Sequence, residues 1–280
     1  MKFKYSTLLF FISCFAFADS PLKIIGENDL ILVNKDASNI PFRYKKIINA
    51  FGAVQFEDTA INAAGDEVKD YSYSCTATHI GRGYVLMAGH CVNARPQLTS
   101  FKGCQFEVED QFLGKYTSKI NSIDWGYRQD LEPYMKSTCE EVVAAVQNDD
   151  TGVDFAIVRV SPAPADYILP DMSRKAVFGD TVTIFSYPLG GPLQWSGLCG
   201  VERVQSEMFP KTSAQHKCDT DRGSSGATII NALSLKIVGV HDGGAFDLDK
   251  EGNLLTSGMN YGTYIFDSEL YEALKNLGFK

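Results

Sequence analysis

The sequence has no excess of positive charge and no apolar run long enough to cross a bilayer. Its 280 residues carry 26 Lys and Arg against 34 Asp and Glu, which gives a formal net charge of −8. A chain with this balance lacks the basic character of proteins that bind nucleic acid or anionic membranes. The longest apolar run, residues 7–18, has 12 residues, whereas a transmembrane helix needs about 20. We therefore expect neither nucleic acid nor a membrane among its partners.

The spacing of cysteine and histidine residues that is typical of zinc sites is also missing. The chain contains no CxxC pair and no CxxH pair, so we expect no structural metal site. Setting aside Cys14 in the apolar run leaves an even number of cysteines, which in an exported chain indicates a disulfide framework. Six cysteines allow about 15 pairings, and their order along the chain favours three local bridges: Cys75–Cys91, Cys104–Cys139 and Cys199–Cys218.

The N-terminus has the layout of a secretory signal peptide. The short basic segment "MKFKYS" precedes the apolar run, and "AFA" ends at Ala18 with small residues at its first and last positions. This pattern predicts residues 1–18 as a signal peptide cleaved before Asp19 and a secreted or periplasmic protein.

Helical periodicity is absent from most of the chain. Short segments such as "YSYSCTATHI", "GYVLMAGHCV", "VDFAIVRV" and "MNYGTYIF" are rich in β-branched and aromatic residues and are separated by Gly, Pro, Asn and Asp. Only the final segment "DSELYEALKNLGF" repeats Leu270, Leu274 and Leu277 at helical spacing, after Asp267 or Ser268 as the cap. Many strands followed by one helix predict an all-β sandwich or barrel protein, with the proline-bearing segment 161–173 as the linker between two halves.

Two residues have the setting of a general base and its orienting group. His90 follows the apolar segment "GYVLMA" and adjoins Cys91, so a disulfide would fix the position of its ring. Asp154 opens the continuous apolar segment "VDFAIVRV", where a carboxylate needs a hydrogen-bond donor such as an imidazole N–H. Asp149 and Asp150 lie in a polar run typical of solvated loops, so Asp154 is the better candidate.

The segment "RGSSGA" supplies a candidate nucleophile. Gly223 and Gly226 permit backbone conformations that expose a serine hydroxyl and turn consecutive N–H groups to one side. Such N–H groups can stabilise an oxyanion. With His90 and Asp154, the segment completes a set of nucleophile, base and orienting group.

The order of His90 in "AGHC", Asp154 in "DFAIV" and a serine in "GSSGA" resembles the trypsin/chymotrypsin class of serine peptidases. The resemblance covers about residues 47–280 and includes the separation of 16 positions between Cys75 and Cys91. It implies two six-stranded antiparallel β-barrels, over residues 47–165 and 166–280, with a C-terminal helix. It also implies a protein or peptide substrate, no cofactor, Ser225 as the nucleophile, and an oxyanion hole formed by the N–H groups of Gly223 and Ser225.

Within this class, "FGDTVTIFSYPLGGP" and "VGVHDGG" are similar to segments of secreted bacterial glutamyl and lysyl endopeptidases. The similarity places five residues at the specificity pocket: Asp219, Thr220, His241, Gly243 and Gly244. A histidine at the position of His241 binds acidic side chains in the glutamyl enzymes. Asp219, however, lies six residues before Ser225, where trypsin-like members carry the carboxylate that binds Lys or Arg. Because nearby acids repel an acidic side chain, we expect a preference for basic residues, with Glu as the alternative.

The resemblance leaves two interpretations of residues 19–46, which are either a propeptide or an N-terminal arm. The segment "KKIINAFGAV" resembles an activation site because Ile47 lies 28 residues before Cys75, and it predicts a zymogen cleaved after Lys46. Ser224, by contrast, stands where animal trypsins carry the aspartate that pairs with the new N-terminus. That ion pair cannot form here.

Two other functional hypotheses remain. A catalytically inactive binding protein on the same fold is the first alternative, since fold does not fix function; such proteins usually lose a member of the triad, and this chain has all three. An esterase would need a G-x-S-x-G turn leading into a helix, and "GSSGA" has a different spacing.

Overall fold

Almost all of the secondary structure is β-strand. The computed structural model describes residues 24, 27–62, 65–110, 114–202, 214–245, 259–266 and 268–280. The predicted signal peptide and Asp267 lie outside these residues. The strands in the described part of the chain are β1 (Ile31–Leu32), β2 (Phe51–Ile61), β3 (Glu67–Gly81), β4 (Tyr84–Met87), β5 (Thr99–Lys102), β6 (Gln105–Asp110), β7 (Gly114–Trp125), β8 (Met135–Asn148), β9 (Val153–Ser161), β10 (Thr181–Thr183), β11 (Phe185–Ser186), β12 (Gln194–Trp195), β13 (Cys199–Gly200), β14 (Thr228–Asn231), β15 (Ile237–Ala245) and β16 (Met259–Tyr264).

The first barrel is a closed antiparallel sheet. Its eight strands run in the order β5-β8-β9-β4-β3-β2-β7-β6, and an additional pairing joins β7 to β8. That pairing, with Ile123 opposite Ser137, closes a ring formed by β8, β9, β4, β3, β2 and β7. The strands β5 and β6 extend the sheet outside the ring.

Strand β9 explains why "VDFAIVRV" is apolar at nearly every position. Alternate side chains of a strand point to opposite faces, and both faces of β9 are buried. Ala156 and Val158 pack inside the first barrel, whereas Phe155 and Ile157 pack in a cluster between the two halves of the molecule. The strand therefore links the barrel interior to the second half of the fold.

The second half consists of a five-stranded sheet, β13-β10-β14-β15-β16, and a three-stranded sheet, β1-β12-β11. Val182, Ile229 and Val238 belong to its separate apolar cluster. With the first barrel it gives the chymotrypsin-like two-barrel fold that the sequence predicted. One detail differs: within the described residues the second barrel is an open half-barrel rather than a closed ring of six strands.

Residues 27–46, here called the N-terminal arm, pack against the second half. In β1, Ile31 and Leu32 pair with Trp195 and Gln194 of β12. Further along the arm, the Tyr44 ring lies 5.6 Å from the Trp195 ring and is 2% exposed. The side chain of Ile40 is buried in the same cluster. The arm thus supplies part of the core between the two halves.

The C-terminal helix, α1 (Glu269–Asn276), is present as predicted. Leu270 and Leu274 are fully buried in the cluster between the two halves, which accounts for their helical spacing. Ser268 occupies the N-cap position, and its hydroxyl donates to the carbonyl of Tyr264 at 2.6 Å. No helix in the described part of the chain is long and apolar enough to span a membrane.

Three disulfides join the cysteines in the local pairs that sequence order favoured. Their Cα atoms are 6.4 Å apart for Cys75–Cys91, 5.9 Å for Cys104–Cys139 and 5.0 Å for Cys199–Cys218. The first bridge ties β3 to the turn after β4, which is the turn that carries His90.

Candidate active site

A histidine and an aspartate are directly hydrogen-bonded at the edge of the first barrel. His90 opens a 3-10 turn, His90–Val92, after β4, and Asp154 is the second residue of β9. His90 Nδ1 lies 2.6 Å from Asp154 Oδ2, and the His90 backbone N–H donates to Oδ1 at 2.9 Å. Because a carboxylate accepts, Nδ1 carries the proton and the neutral ring keeps Nε2 as a base. Asp149 and Asp150, the alternatives to Asp154, are exposed.

Thr263 holds the backbone of Asp154 from the other half of the molecule. This fully buried residue of β16 accepts the Asp154 N–H at 2.6 Å and lies 3.1 Å from the Asp154 carbonyl oxygen. Its hydroxyl is also 3.5 Å from Asp242 Oδ2. The contact spans 109 positions of sequence, and no local pattern pointed to it. It ties the aspartate of the His–Asp pair to the second half of the fold.

The loop that carries Ser225 packs against the turn that carries His90. The carbonyl of Ser225 accepts the Thr76 N–H at 2.8 Å and lies 3.9 Å from Cys91 Sγ. Gly226 has φ +87°, and a Cβ at this position would lie 2.9 Å from the Ala88 nitrogen, so only glycine allows this approach. The three residues predicted as catalytic are therefore gathered in one place. Within the described structure the Ser225 hydroxyl makes no hydrogen bond with the His90 ring; such bonds commonly tighten when substrate binds.

The backbone around Ser225 offers two unused donors. The N–H groups of Ser224 and Gly226 are taken up by backbone carbonyls at 2.9 and 2.7 Å. The N–H groups of Gly223 and Ser225 donate to no acceptor among the described residues. Gly223 has φ +90°, the left-handed region that turns successive N–H groups to one side. This arrangement suits a developing negative charge.

The two adjacent serines lie in different surroundings. Ser224 is fully buried; its hydroxyl donates to Ser186 Oγ at 2.9 Å and accepts the Asp221 N–H at 3.1 Å. Ser225 is partly exposed. The buried hydroxyl of Ser224 thus stabilises the turn through internal hydrogen bonds, while Ser225 is accessible to solvent.

Four of the predicted pocket residues, Asp219, Thr220, His241 and Gly243, are buried. Gly243 and Gly244 follow His241 on β15, opposite β16. A Cβ at Gly243 would lie 2.5 Å from the hydroxyl of Tyr261, so the tyrosine ring packs directly on the glycine backbone. Burial, together with the charges of Asp242 and Asp154, raises the pKa of Tyr261 to about 12. The tyrosine therefore stays neutral.

A second histidine, which the sequence did not single out, binds His241. The Cys218 N–H donates to His216 Nδ1 at 3.2 Å, and His216 Nε2 lies 3.2 Å from His241 Nδ1. The first contact leaves the His216 proton on Nε2, so His216 donates to His241. A neutral His241 then carries its own proton on Nε2, as a donor.

Asp219 and Thr220 are adjacent but differ in their contacts. Asp219 Oδ2 accepts the backbone N–H of Asp29, in the N-terminal arm, at 2.8 Å. The Thr220 hydroxyl is buried and has no hydrogen-bond partner within the described residues. A buried hydroxyl without a partner is costly, so a group that hydrogen-bonds to Thr220 would be stabilised at this point of the predicted pocket.

Among the residues that the structure describes, one group of potential metal donors is present. The donor atoms of Cys75, His90 and Cys91 lie within 4.8 Å of one another. The two sulfurs are joined in a disulfide, so they are not thiolates and do not ligate a metal.

Several solved structures resemble the chain. The structure described as "HtrA-type protease AlgWS227A with decapeptide" has a TM-score of 0.52 and 12% identity, over 84% of this chain and 66% of that one. The structure described as "HtrA-type protease AlgWS227A with tripeptide" has a TM-score of 0.49 and 13% identity, over 83% of this chain and 61% of that one. The structure described as "Rv3671c protease, inactive form" has a TM-score of 0.45 and 18% identity, over 88% of this chain and 98% of that one.

At these identities the likeness concerns the fold alone. This chain spans about 61–66% of the two HtrA-type chains. The comparison with curated protein sequences gave no match. The family model described as "Trypsin-like peptidase domain" matches residues 75–240, more than half of the chain and a range that includes His90, Asp154 and Ser225. The chain belongs to the trypsin-like serine peptidase family.

Proposed function

We propose that this chain is an exported serine endopeptidase that cleaves peptide bonds through an acyl-enzyme. Ser225 attacks the scissile carbonyl, and His90 Nε2 takes its proton and later returns it to the leaving amine. Asp154 holds the required tautomer of His90 and stabilises the imidazolium. The N–H groups of Gly223 and Ser225 stabilise the oxyanion of the tetrahedral intermediate. The steps follow the general mechanism of serine peptidases.

The hydrogen bond of 2.6 Å between His90 and Asp154 carries this proposal. The His90 side chain is 29% exposed and that of Asp154 is 15% exposed, so the base is accessible while its partner is sheltered. The Ser225 loop packs beside it, with two donors unused. An inactive binding protein would have no need of a fixed tautomer and free N–H groups together.

Labelling with a fluorophosphonate tests the nucleophile. We expect the wild-type chain to be labelled at Ser225, the Ser225→Ala variant to remain unlabelled, and the Ser224→Ala variant to be labelled. The adjacent serine is the matched control, because both variants remove one hydroxyl from the same turn. A folded wild-type chain that takes no label would favour the inactive binding protein.

For side-chain specificity we propose a preference for Lys or Arg before the cleaved bond. The buried carboxylates of Asp219 and Asp242 support it, since they favour a cation and repel an acid. One observation favours the alternative, Glu: a neutral His241 carries its proton on Nε2, where it can donate to a carboxylate. A matched set of peptides that differ only in Lys, Arg, Glu or Ala at this position separates the two. A kcat/KM higher for the Glu peptide than for the Lys peptide would reject the basic preference.

Export is supported by three disulfides, which persist in oxidising compartments, and by the signal-peptide layout of the N-terminus. Fractionation of producing cells checks it. We expect the protein in the medium or the periplasm, and recovery only from the cytoplasm with Met1 retained would contradict export.

A further inference from the structure

A backbone group of the N-terminal arm reaches the predicted specificity pocket. The Asp29 N–H donates to Asp219 Oδ2 at 2.8 Å, across 190 positions of sequence. Asp219 is 4% exposed, whereas the side chain of Asp29 is exposed. The contact therefore depends on the main chain of the arm and not on the charge of Asp29.

The residues that follow Asp29 fix this donor in place. The pairing of β1 with β12 begins two residues later. The Val33 N–H then donates to the Leu193 carbonyl at 2.9 Å, and the Val33 carbonyl accepts the Gln129 N–H at 3.2 Å. The position of the Asp29 N–H is consequently set by a stretch of ordered backbone.

The arm is also built into the core. Val33, Ala37, Ile40 and Tyr44 are all buried in the cluster between the two halves. Ile47, the first residue after the predicted cleavage site, is buried too, and its N–H donates to the Tyr44 carbonyl at 3.0 Å. Removal of residues up to Lys46 would strip this apolar surface from the core and break that turn.

A buried carboxylate is strongly affected by the loss of a donor. Asp219 stands between Cys218, which is held by the bridge to Cys199, and Thr220, whose hydroxyl has no partner within the described residues. A change in the orientation of its carboxylate would alter the charge and shape presented to the substrate side chain.

We propose that the N-terminal arm remains in the mature enzyme and positions the specificity pocket through the hydrogen bond from the Asp29 N–H to the Asp219 carboxylate. The proposal rests on the function proposed above and adds a positioning residue, Asp29, to it. The arm is therefore retained as part of the pocket's support, rather than removed as a propeptide.

Two substitutions at position 29 separate the effect of the backbone N–H group from that of the Asp29 carboxylate. Asp29→Pro removes the donor, because proline has no backbone N–H, whereas Asp29→Ala keeps the donor and removes the carboxylate. With the peptide set above, we expect Asp29→Pro to raise KM for the preferred peptide about fivefold or more and to flatten the preference. We expect kcat to stay within about twofold and the Asp29→Ala variant to match the wild type. Fluorophosphonate labelling and the melting temperature establish that Asp29→Pro is folded and competent.

A double-mutant cycle shows whether Asp29 acts through Asp219. In the Asp219→Ala background the Asp29→Pro substitution should change KM by less than about twofold, since its acceptor is already gone. An equal effect of Asp29→Pro in both backgrounds, or an unchanged side-chain preference in the single variant, would overturn the role of the hydrogen bond.

Intact mass and N-terminal sequencing of the labelled wild-type enzyme decide whether the arm is retained. We expect a chain that includes Asp29, and an active species that begins at Ile47 would refute the proposal. A wild-type chain that takes no label would refute the peptidase function instead, and the mass of the folded protein would still decide the fate of the arm.

Discussion

The hydroxyl of Thr263 accepts the backbone N–H of Asp154 at 2.6 Å, which joins β16 of the second half to β9 of the first barrel. Asp154 in turn binds His90 through both carboxylate oxygens. The geometry of the His–Asp pair therefore depends on how the two halves pack, and not on the first barrel alone.

Thr263→Val should damage the pair without changing the shape of the residue. Valine leaves the Asp154 N–H without its acceptor, which costs about 1–3 kcal/mol of unfolding free energy, and we expect kcat to fall about tenfold or more. Thr263→Ser keeps a hydroxyl and should retain kcat within about threefold. Urea unfolding and steady-state kinetics on both variants provide the measurements. A wild-type kcat in the valine variant would show that Thr263 does not position Asp154.

The buried hydroxyl pair of Ser186 and Ser224 predicts a non-additive double variant. Ser224→Ala removes one partner at 2.9 Å and leaves the other unsatisfied, at a cost of about 1–3 kcal/mol in unfolding free energy. Removing both hydroxyls should cost less than the sum of the two single changes, because no hydroxyl of the pair is then left unpaired. Urea unfolding of the two single variants and the double variant gives the three values. Strict additivity would show that the pair does not act as a unit.

The sequence could predict those residues of the candidate site that lie in a characteristic short segment. His90 follows an apolar strand and adjoins a cysteine, Asp154 opens an apolar strand, and Ser225 lies between glycines. The order of the three then matched a family. The strands and the terminal helix were indicated in the same way, by composition and spacing over short windows.

The other features of the site and of the arm depend on contacts between residues that are far apart in the sequence, and no short segment of sequence reveals such contacts. Thr263 meets Asp154 across 109 positions, and Asp29 meets Asp219 across 190. Val33 ends the short apolar run "LILV" and Tyr44 stands between Arg43 and Lys45, so the arm as a whole shows neither a period of two nor a period of 3.6. Its burial follows from the apolar surface that Phe185 and Trp195 present, which only the folded chain brings together.

Gly226→Ala should be far more harmful than Gly197→Ala, although both glycines have positive φ. Gly226 has φ +87° and Gly197 has φ +70°. Each alanine substitution therefore lowers the unfolding free energy by about 1–2 kcal/mol through conformational strain. At Gly197 a Cβ meets nothing within 4 Å, whereas at Gly226 it collides with the backbone of Thr76 and Ala88, which adds about 1–3 kcal/mol. We expect the Gly226 variant to lose activity and the Gly197 variant to retain it. Similar melting temperatures and activities for the two would contradict the close approach of the loops.

His79 should make stability fall as the pH is lowered. Its Nδ1 donates to the Asp166 carbonyl at 2.8 Å, and its Nε2 accepts the Gly83 N–H at 3.2 Å. The rings of Trp125 and Tyr167 enclose it, with centroids 6.2 and 6.1 Å away. Burial lowers the pKa of His79 below its ordinary value of 6.5.

Between that ordinary pKa and the lowered one, the unfolded chain binds a proton at His79 that the folded chain does not. The unfolding free energy should therefore decrease as the pH falls below about 6.5, with a slope of up to about 1.4 kcal/mol per pH unit from this residue. His79→Gln removes the titration, so its unfolding free energy should depend less on pH between about 7 and 5. Urea unfolding at several pH values measures both slopes, and equal slopes would exclude His79 as a source of the acid sensitivity.

Tyr44 and Phe42 test whether the N-terminal arm belongs to the core. The two aromatic residues are two positions apart, but Tyr44 is 2% exposed and Phe42 is 87% exposed. The Tyr44 ring packs 5.9 Å from Phe185 and 5.6 Å from Trp195. Tyr44→Ala should therefore lower the unfolding free energy by about 3–5 kcal/mol, whereas Phe42→Ala should change it by less than about 0.5 kcal/mol. Urea unfolding of the mature protein compares the two. A small effect at both positions would mean that the arm does not contribute to the stability of the mature fold.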